Sequence, residues 1–229
     1  MIFVYIYGKI KKKGKIMPNE KSYKISTKHR NLFLRVTPGH FATSHSHINY
    51  YIDVTTQKAR LSEATALAQE LVSYYNTTTI VDTILCLDGT QVIGTCIANE
   101  LTRANFHSIN AHQTIYVLAP EYTSSSQIIF RDSATPMIQG KNVLILAASV
   151  TTGYTTKSAI EAINYYGGRV AGIASIFATA GTCMGYKVHS VFNPNDLPGY
   201  ASYPFHECPM CKAGQKIDAL VNSFGFSKI

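Results

Sequence analysis

No apolar run in this 229-residue chain approaches the roughly 18 residues that a membrane-spanning helix requires. A helical membrane protein is therefore excluded, and no membrane partner is expected. Residues 1–7 are apolar and precede a lysine-rich run, the reverse of the order in a secretory signal peptide, so a cytoplasmic location is expected. Cysteine is sparse: five residues, an odd number at irregular spacing. That pattern argues against a disulfide framework and for reduced thiols. Acidic residues are fewer than basic ones, 13 against 21, for a formal charge of +8. Five of the lysines (Lys9, Lys11, Lys12, Lys13 and Lys15) fall in the first sixteen residues, leaving the remainder only mildly basic. A solvated tail explains that run more simply than an RNA-binding arm, and nucleic acid is not an expected partner.

The run has a further reading. Residues 13–17, KGKIM, back-translate to a purine-rich string with a GG core a few bases before an ATG, as in a bacterial ribosome-binding site. Residues 1–16 are thus expected to be a disordered extension or a mis-assigned start, with Met17 the natural beginning. Residues 17–229, at 46% hydrophobic content for the whole chain, suit one domain: a segment 17–58, an α/β core 59–192 and a tail 193–229.

Within the core, strand and helix patterns alternate. Residues 61–75 repeat apolar positions at three-and-four spacing and predict a helix. Residues 80–87, IVDTILCL, predict a strand, followed by the turn Asp88-Gly89-Thr90-Gln91 and a helix from about Val92 through Leu101. Residues 115–118 form the next strand. The stretch 119–140 has little periodicity beyond 127–131 and reads as a long loop, a feature that is usually functional or mobile. Residues 169–177 and 187–192 are two more buried strands, with Gly167 and Gly168 closing the helix before them. This alternation predicts a doubly wound α/β fold with a mainly parallel sheet, helices on both faces and ligands at the carboxyl ends of the strands.

The segment around which the chain is organised is 141–157, KNVLILAASVTTGYTTK. Residues 143–146 are continuously apolar, as in a strand covered on both faces. A helix begins at Thr155 or Thr156, so Thr151, Thr152 and Gly153 lie at a helix N-terminus, where free N–H groups and the dipole favour an anion. An ordinary strand-turn-helix connection is the alternative.

Residues 141–157 resemble the phosphoribosyl-pyrophosphate (PRPP) motif of type I phosphoribosyltransferases: four apolar residues, two acids, two further residues, then Thr-Thr-Gly-Gly-Thr/Ser. The apolar run, Thr151-Thr152-Gly153 and Thr155 match that pattern. Ala147 and Ala148 stand where the acids belong, and Tyr154 replaces the second glycine. Residues 39–53, GHFATSHSHINYYID, are similar to the N-terminal part of orotate phosphoribosyltransferases, where a Gly-x-Phe, a Ser-rich turn and Tyr-Tyr-aliphatic-Asp surround a base-contacting lysine. Aligning on Tyr50-Tyr51 puts His47 at that lysine's position. The resemblance implies a type I phosphoribosyltransferase fold with a small hood made by the N-terminal segment and the tail. It further implies a phosphate site at Ser149, Thr151, Thr152, Gly153, Tyr154 and Thr155, a pyrophosphate turn at Asp88, Gly89 and Thr90, and a homodimer. In the orotate enzymes the place of residues 119–140 holds a loop with Lys and His residues that close over pyrophosphate; here Arg131 is the single cation there and the candidate catalytic group.

The chemistry so implied breaks the bond from ribose C1′ to pyrophosphate through an oxocarbenium-like state. Mg²⁺, held mainly through PRPP and water, balances charge, and the base nitrogen is brought into line. Losing two acids removes charge-assisted hydrogen bonds to the ribose hydroxyls worth on the order of 1.5–3 kcal/mol each. Two functions remain open: an orotate-type phosphoribosyltransferase of nucleotide biosynthesis or salvage, with PRPP and a nucleobase as substrates, or a non-catalytic homologue that binds PRPP or a nucleotide monophosphate.

No resident metal site is expected from the sequence. His40, His45 and His47 together invite a metal reading, in which His45 and His47 alternate on an extended chain and could chelate, with polar loop histidines or substrate contacts the alternative. Cys208-Pro-Met-Cys211 supplies half of a zinc site, with Cys183 and His206 as the nearby supplements; two free thiols in a turn is the other reading. Cys86 and Cys96 read as buried fillers.

Overall fold

The structure is a computed structural model that describes residues 22–26, 32–103, 108–111 and 113–229. The basic extension 1–16 and Met17 lie outside the described residues. In chain order the strands are β1 (Tyr23–Ser26), β2 (Phe33–Ala42), β3 (His47–Asp53), β4 (Thr83–Cys86), β5 (Tyr116–Leu118), β6 (Glu121–Tyr122), β7 (Ile128–Ile129), β8 (Asn142–Val150), β9 (Arg169–Ala178), β10 (Thr182–Cys183), β11 (Tyr186–Phe192), β12 (Ser202–Tyr203), β13 (Ala219–Asn222) and β14 (Gly225–Lys228). The α-helices are α1 (Thr55–Ala59), α2 (Leu61–Val72), α3 (Gln91–Thr102), α4 (Tyr154–Tyr165) and α5 (Pro209–Lys212).

Alternation of buried side chains along the central strands explains the layering. On β4 and β8, Ile84, Leu144, Leu146 and Ala148 pack with Leu67, Leu71, Ile93 and Ile97 of α2 and α3. Leu85, Val143, Ile145 and Ala147 turn the other way, onto Ala159, Ile160 and Ile163 of α4. A strand clothed on both faces must be apolar throughout, and β8 is buried at seven of its nine positions. The sheet runs β10-β11-β9-β8-β4-β5, parallel except for the short β10–β11 pair. This is the doubly wound, mainly parallel architecture with helices on both faces that the sequence pattern implied.

A second sheet, in the order β12-β3-β2-β13-β14 with β1 also on β2, makes the hood. Its middle is the β2–β3 hairpin, and the tail supplies β12, β13 and β14. In the tail, β13 pairs parallel with β2 at Ala219↔Phe41 and antiparallel with β14.

Several element boundaries differ from those expected. The helix α2 ends at Val72; Tyr75 follows in a turn and its hydroxyl donates to the Ile173 carbonyl. The strand β8 runs four residues past Leu146, because the small Ala147 and Ala148 let it continue beside β9. The helix α4 starts at Tyr154, one turn residue earlier than expected, with Gly153 as its left-handed N-cap at φ 73°. The stretch 119–140 is not a bare loop: β6 and β7 pair as a small hairpin and residues 135–137 form a 3₁₀ turn. Gly167 does close α4, with the Gly168 N–H donating back to Ile163 O at 2.8 Å.

Candidate functional site

Two turns leave the carboxyl ends of adjacent parallel strands and face the hood. After β8 come Thr151, Thr152 and Gly153; after β4 come Asp88, Gly89 and Thr90. Both need left-handed backbone: Gly153 at φ 73°, and Asp88 and Gly89 at 56° and 78°. Between the turns and the hood lies a cleft of about 210 Å³. Its floor is Asp88, Ala148, Ser149 and residues 151–156, and its roof comprises Thr43, Ser44 and His45 of the hairpin with Tyr50 and Tyr51. Phe177, Tyr200 and residues 221–223 close the side. At the floor the first N–H groups of α4 lack helical acceptors, so the turn presents the donors and dipole an anion requires.

Of the residues expected at the phosphate site, the structure brings Ser149, Thr151, Thr152, Gly153, Tyr154 and Thr155 to one wall. Tyr154, in the place of the motif's second glycine, packs against His45 with the rings tilted by 31° and their centroids 4.3 Å apart, linking turn to hood. Asp88 also reaches the cleft. Gly89 and Thr90 do not line it; the Thr90 hydroxyl donates to the Leu87 and Leu146 carbonyls and ties the two strands together. Burial holds the Asp88 carboxyl above its usual range, against the Ala148 backbone N–H and the nearby Lys58, which pull it down. Lys58, which the sequence reading passed over, donates to Asp88 O at 2.8 Å and Ser223 O at 2.7 Å. Burial lowers its pKa, with Asp88 and Asp53 opposing.

Two candidates sit elsewhere. Arg131 pairs with Glu121 across the small hairpin at 2.7 Å, exposed and outside the cleft wall. His47 faces away from the cleft; His45 takes the place in the wall that alignment on Tyr50-Tyr51 had given to its neighbour. The His45–His47 chelate is also corrected, because the two rings point to different surroundings: His45 lies against Tyr154, whereas His47 meets His40, Nδ1 to Nε2, at 3.1 Å. Cys208 and Cys211 join that pair, so four potential ligand atoms lie within 4.8 Å of one another. The supplements expected for the two cysteines are absent from the group: Cys183 is beside Gly153 O, and His206 is at the surface beside Glu207. Cys86 is a buried filler, its thiol pushed up to about 12.

What sequence reasoning missed in the cleft are Lys58, the aromatic residues Phe177 and Tyr200, and the tail residues 221–223. No local motif marks them; they meet only because the tail returns to the hood.

Among the described residues that line the cleft, Asp88 is the one carboxylate, and it is already bonded to Ala148 and near Lys58. That donor set does not make a resident Mg²⁺ site, which calls for octahedral oxygen ligands and is commonly completed by substrate phosphates.

No family model matches the chain. It is 31% identical over 90 residues to the orotate phosphoribosyltransferase of Sulfurimonas denitrificans, a match spanning 34% of this chain and 44% of that protein. It is 27% identical over 184 residues to the orotate phosphoribosyltransferase of Chlorobaculum parvum, spanning 79% of this chain and 86% of the other. Among solved structures, UMP synthase from Leishmania donovani superposes with a TM-score of 0.49 at 20% identity over 79% of this chain and 36% of that one. The orotate phosphoribosyltransferase of Mycobacterium tuberculosis in complex with PRPP gives 0.45 at 19% identity, over 64% and 82%. The sequence matches agree with the resemblance carried by residues 141–157 and 39–53: the chain is similar to type I phosphoribosyltransferases.

Proposed function

We propose that this protein binds a phosphorylated ribose in the cleft between core and hood, and acts as a phosphoribosyltransferase on a nucleobase, orotate being the first candidate. The observation that carries the reading is one cleft in which the anion-ready turn 151–155 meets Asp88 of the second turn under a roof of aromatic and hydroxyl side chains. The 5′-phosphate belongs at the N-terminus of α4, where backbone N–H groups and the hydroxyls of Thr151, Thr152 and Thr155 converge. Pyrophosphate belongs toward Asp88 and Gly89. The partly exposed rings of Tyr50 and Tyr200 offer the apolar faces a planar base needs. Mg²⁺ would arrive with the pyrophosphate and supply charge neutralisation there.

A second reading has its own observation. Ala147 and Ala148 stand where the motif has its acids, Ala148 in the cleft floor, and β8 carries no carboxylate to meet a ribose hydroxyl. That favours a protein that holds PRPP or a nucleotide monophosphate without turning it over. As further elements of the proposal, the protein works in the cytoplasm, in keeping with its sparse cysteines, and as a homodimer, as the family resemblance implies.

Incubation with PRPP, Mg²⁺ and orotate, followed by product detection, separates the readings. Product supports the enzyme. Absence of product with a ligand-dependent rise in Tm selects the binding protein, and no rise with PRPP or any nucleotide monophosphate overturns both.

A further inference from the structure

We propose that His40, His47, Cys208 and Cys211 form a structural Cys2His2 zinc site that fastens the C-terminal tail to the hood hairpin. His40 comes from β2, His47 opens β3, and the two cysteines bracket the start of α5. Three of the four are buried, and the fourth, Cys211, lies at the surface.

The distances are those of ligands around one ion. With Zn–N of about 2.0–2.1 Å and Zn–S of about 2.3 Å, a tetrahedron has N–N edges of about 3.3 Å and N–S edges of about 3.6 Å. The structure has 3.1 Å from His40 Nε2 to His47 Nδ1. The sulfur–nitrogen separations are 3.6 Å from Cys208 and from Cys211 to His40 Nε2, and 3.2 Å from Cys211 to His47 Nδ1.

Hydrogen bonding alone accounts poorly for this arrangement. The other ring nitrogen of His40, Nδ1, lies 3.0 Å from Gln215 O and 3.2 Å from Lys216 O. Both partners are carbonyls, so Nδ1 must carry the proton and donate. In the neutral ring Nε2 then has a single lone pair, yet three groups converge on it: His47 Nδ1, Cys208 Sγ and Cys211 Sγ. One lone pair cannot serve three donors well, whereas a cation at the centre takes that lone pair together with the other three. A carbonyl behind a ligating histidine is also the usual outer support of a zinc site, fixing its tautomer and ring orientation.

Two thiolates and two imidazoles suit zinc rather than a hard, oxygen-seeking ion. The thiolates cancel the charge of the ion, which lowers the cost of burying it. Four protein ligands leave no open position, which is the pattern of a structural site.

The placement gives the site a purpose. The hairpin loop between the two histidines carries Thr43, Ser44 and His45 into the cleft wall, so an ion gripping both of its ends would hold the roof over the 151–155 turn. The His40 main chain is tied to the tail independently, its N–H donating to the Asp218 carboxylate at 2.7 Å.

The test uses the full-length protein purified under reducing conditions from zinc-containing medium. Elemental analysis is expected to give one zinc per chain, and X-ray absorption two sulfur and two nitrogen neighbours at about 2.3 and 2.0–2.1 Å. Exchange for Co²⁺ is expected to give the absorption of a tetrahedral, thiolate-bound ion. Cys211→Ser, at the least buried ligand, is expected to weaken zinc binding at least tenfold in competition with a chromogenic chelator. Metal content at background, a coordination sphere without sulfur, or a Cys208–Cys211 disulfide in the reduced preparation would overturn the proposal. Should Cys211→Ser fail to fold, the absorption spectrum of the unaltered protein decides alone.

Discussion

At the scale of single residues, the cleft concentrates unusual backbone and unusual charge. Asp88 sits at φ 56°, a region that Asp and Asn enter more readily than other side-chain-bearing residues. Its folded pKa lies above the usual 3.8, chiefly through burial. A carboxyl with a raised pKa contributes stability that is present below its unfolded value and lost as pH rises through the folded one. At neutral pH its charge is therefore a net cost, and Asp88→Asn keeps the shape without the charge. The variant is expected to melt a few degrees higher than the parent at pH 7, with the advantage vanishing below about pH 4; calorimetry across pH 3.5–8 checks this. A lower Tm at pH 7 would mean that the Ala148 and Lys58 interactions outweigh burial. Gly153 supplies a second test. Adding a Cβ at φ 73° costs roughly 1–2 kcal/mol, and it would stand 3.3 Å from Cys183 Sγ. Gly140, at φ 71° with no atom within 4 Å of an added Cβ, carries the same strain away from the cleft. Both Gly→Ala variants are expected to lose similar stability in urea. Only Gly153→Ala should also lose the rise in Tm with PRPP.

At the scale of elements, α3 rests unusually close on β4. A Cβ at Gly94 would fall 2.4 Å from Cys86 Sγ, too near for either group to remain in place. Overpacking of this kind costs about 1–3 kcal/mol, against a helix-propensity gain for alanine of about 1 kcal/mol. Gly94→Ala is thus expected to destabilise, and Cys86→Ala in the same chain to restore part of the loss, a coupling that a double-mutant cycle in urea measures. Neither residue looked special in the sequence, where a helix glycine and a strand cysteine are merely tolerated. The periodic elements were legible for the opposite reason: β8, α3 and α4 each repeat apolar residues at the spacing of one secondary structure, and burial of those residues is what forms them. Their ends were less legible. The strand β8 overran Leu146 because alanines carry no directional signal, and the β6–β7 hairpin escaped notice because two-residue strands leave no period to read. The turn between β8 and α4 was legible because its pattern is local, contained in the seven residues from Ser149 to Thr155.

At the scale of the whole molecule, the features that stayed hidden are those built from distant chain. His40 and Cys208 are 168 positions apart, and Lys58 and Ser223 are 165 apart, separations at which no spacing rule operates. Both contacts join the tail to something else, and Lys58 joins three parts at once. It leaves α1, and its ammonium donates to the core turn at Asp88 O and to the tail at Ser223 O. Hydrogen bonds from a charged donor contribute about 1.5–3 kcal/mol each, but two bonds from one partly exposed ammonium share a single desolvation cost. The expected loss for Lys58→Met is therefore about 2–3 kcal/mol rather than the sum. The pH dependence has a definite sign. Because burial lowers the Lys58 pKa below 10.5, the unfolded chain binds more protons than the folded one between the two values. In that window stability gains from rising pH, and Lys58→Met should remove this gain. The location of the damage distinguishes a tie between parts from ordinary packing. Hydrogen exchange in Lys58→Met should accelerate together at the β4 turn, residues 88–90, and at the β13–β14 hairpin, residues 220–226, while β8 and β9 keep their protection. Uniform acceleration across the core sheet would instead mean that Lys58 supports global stability without linking the side of the cleft to its floor.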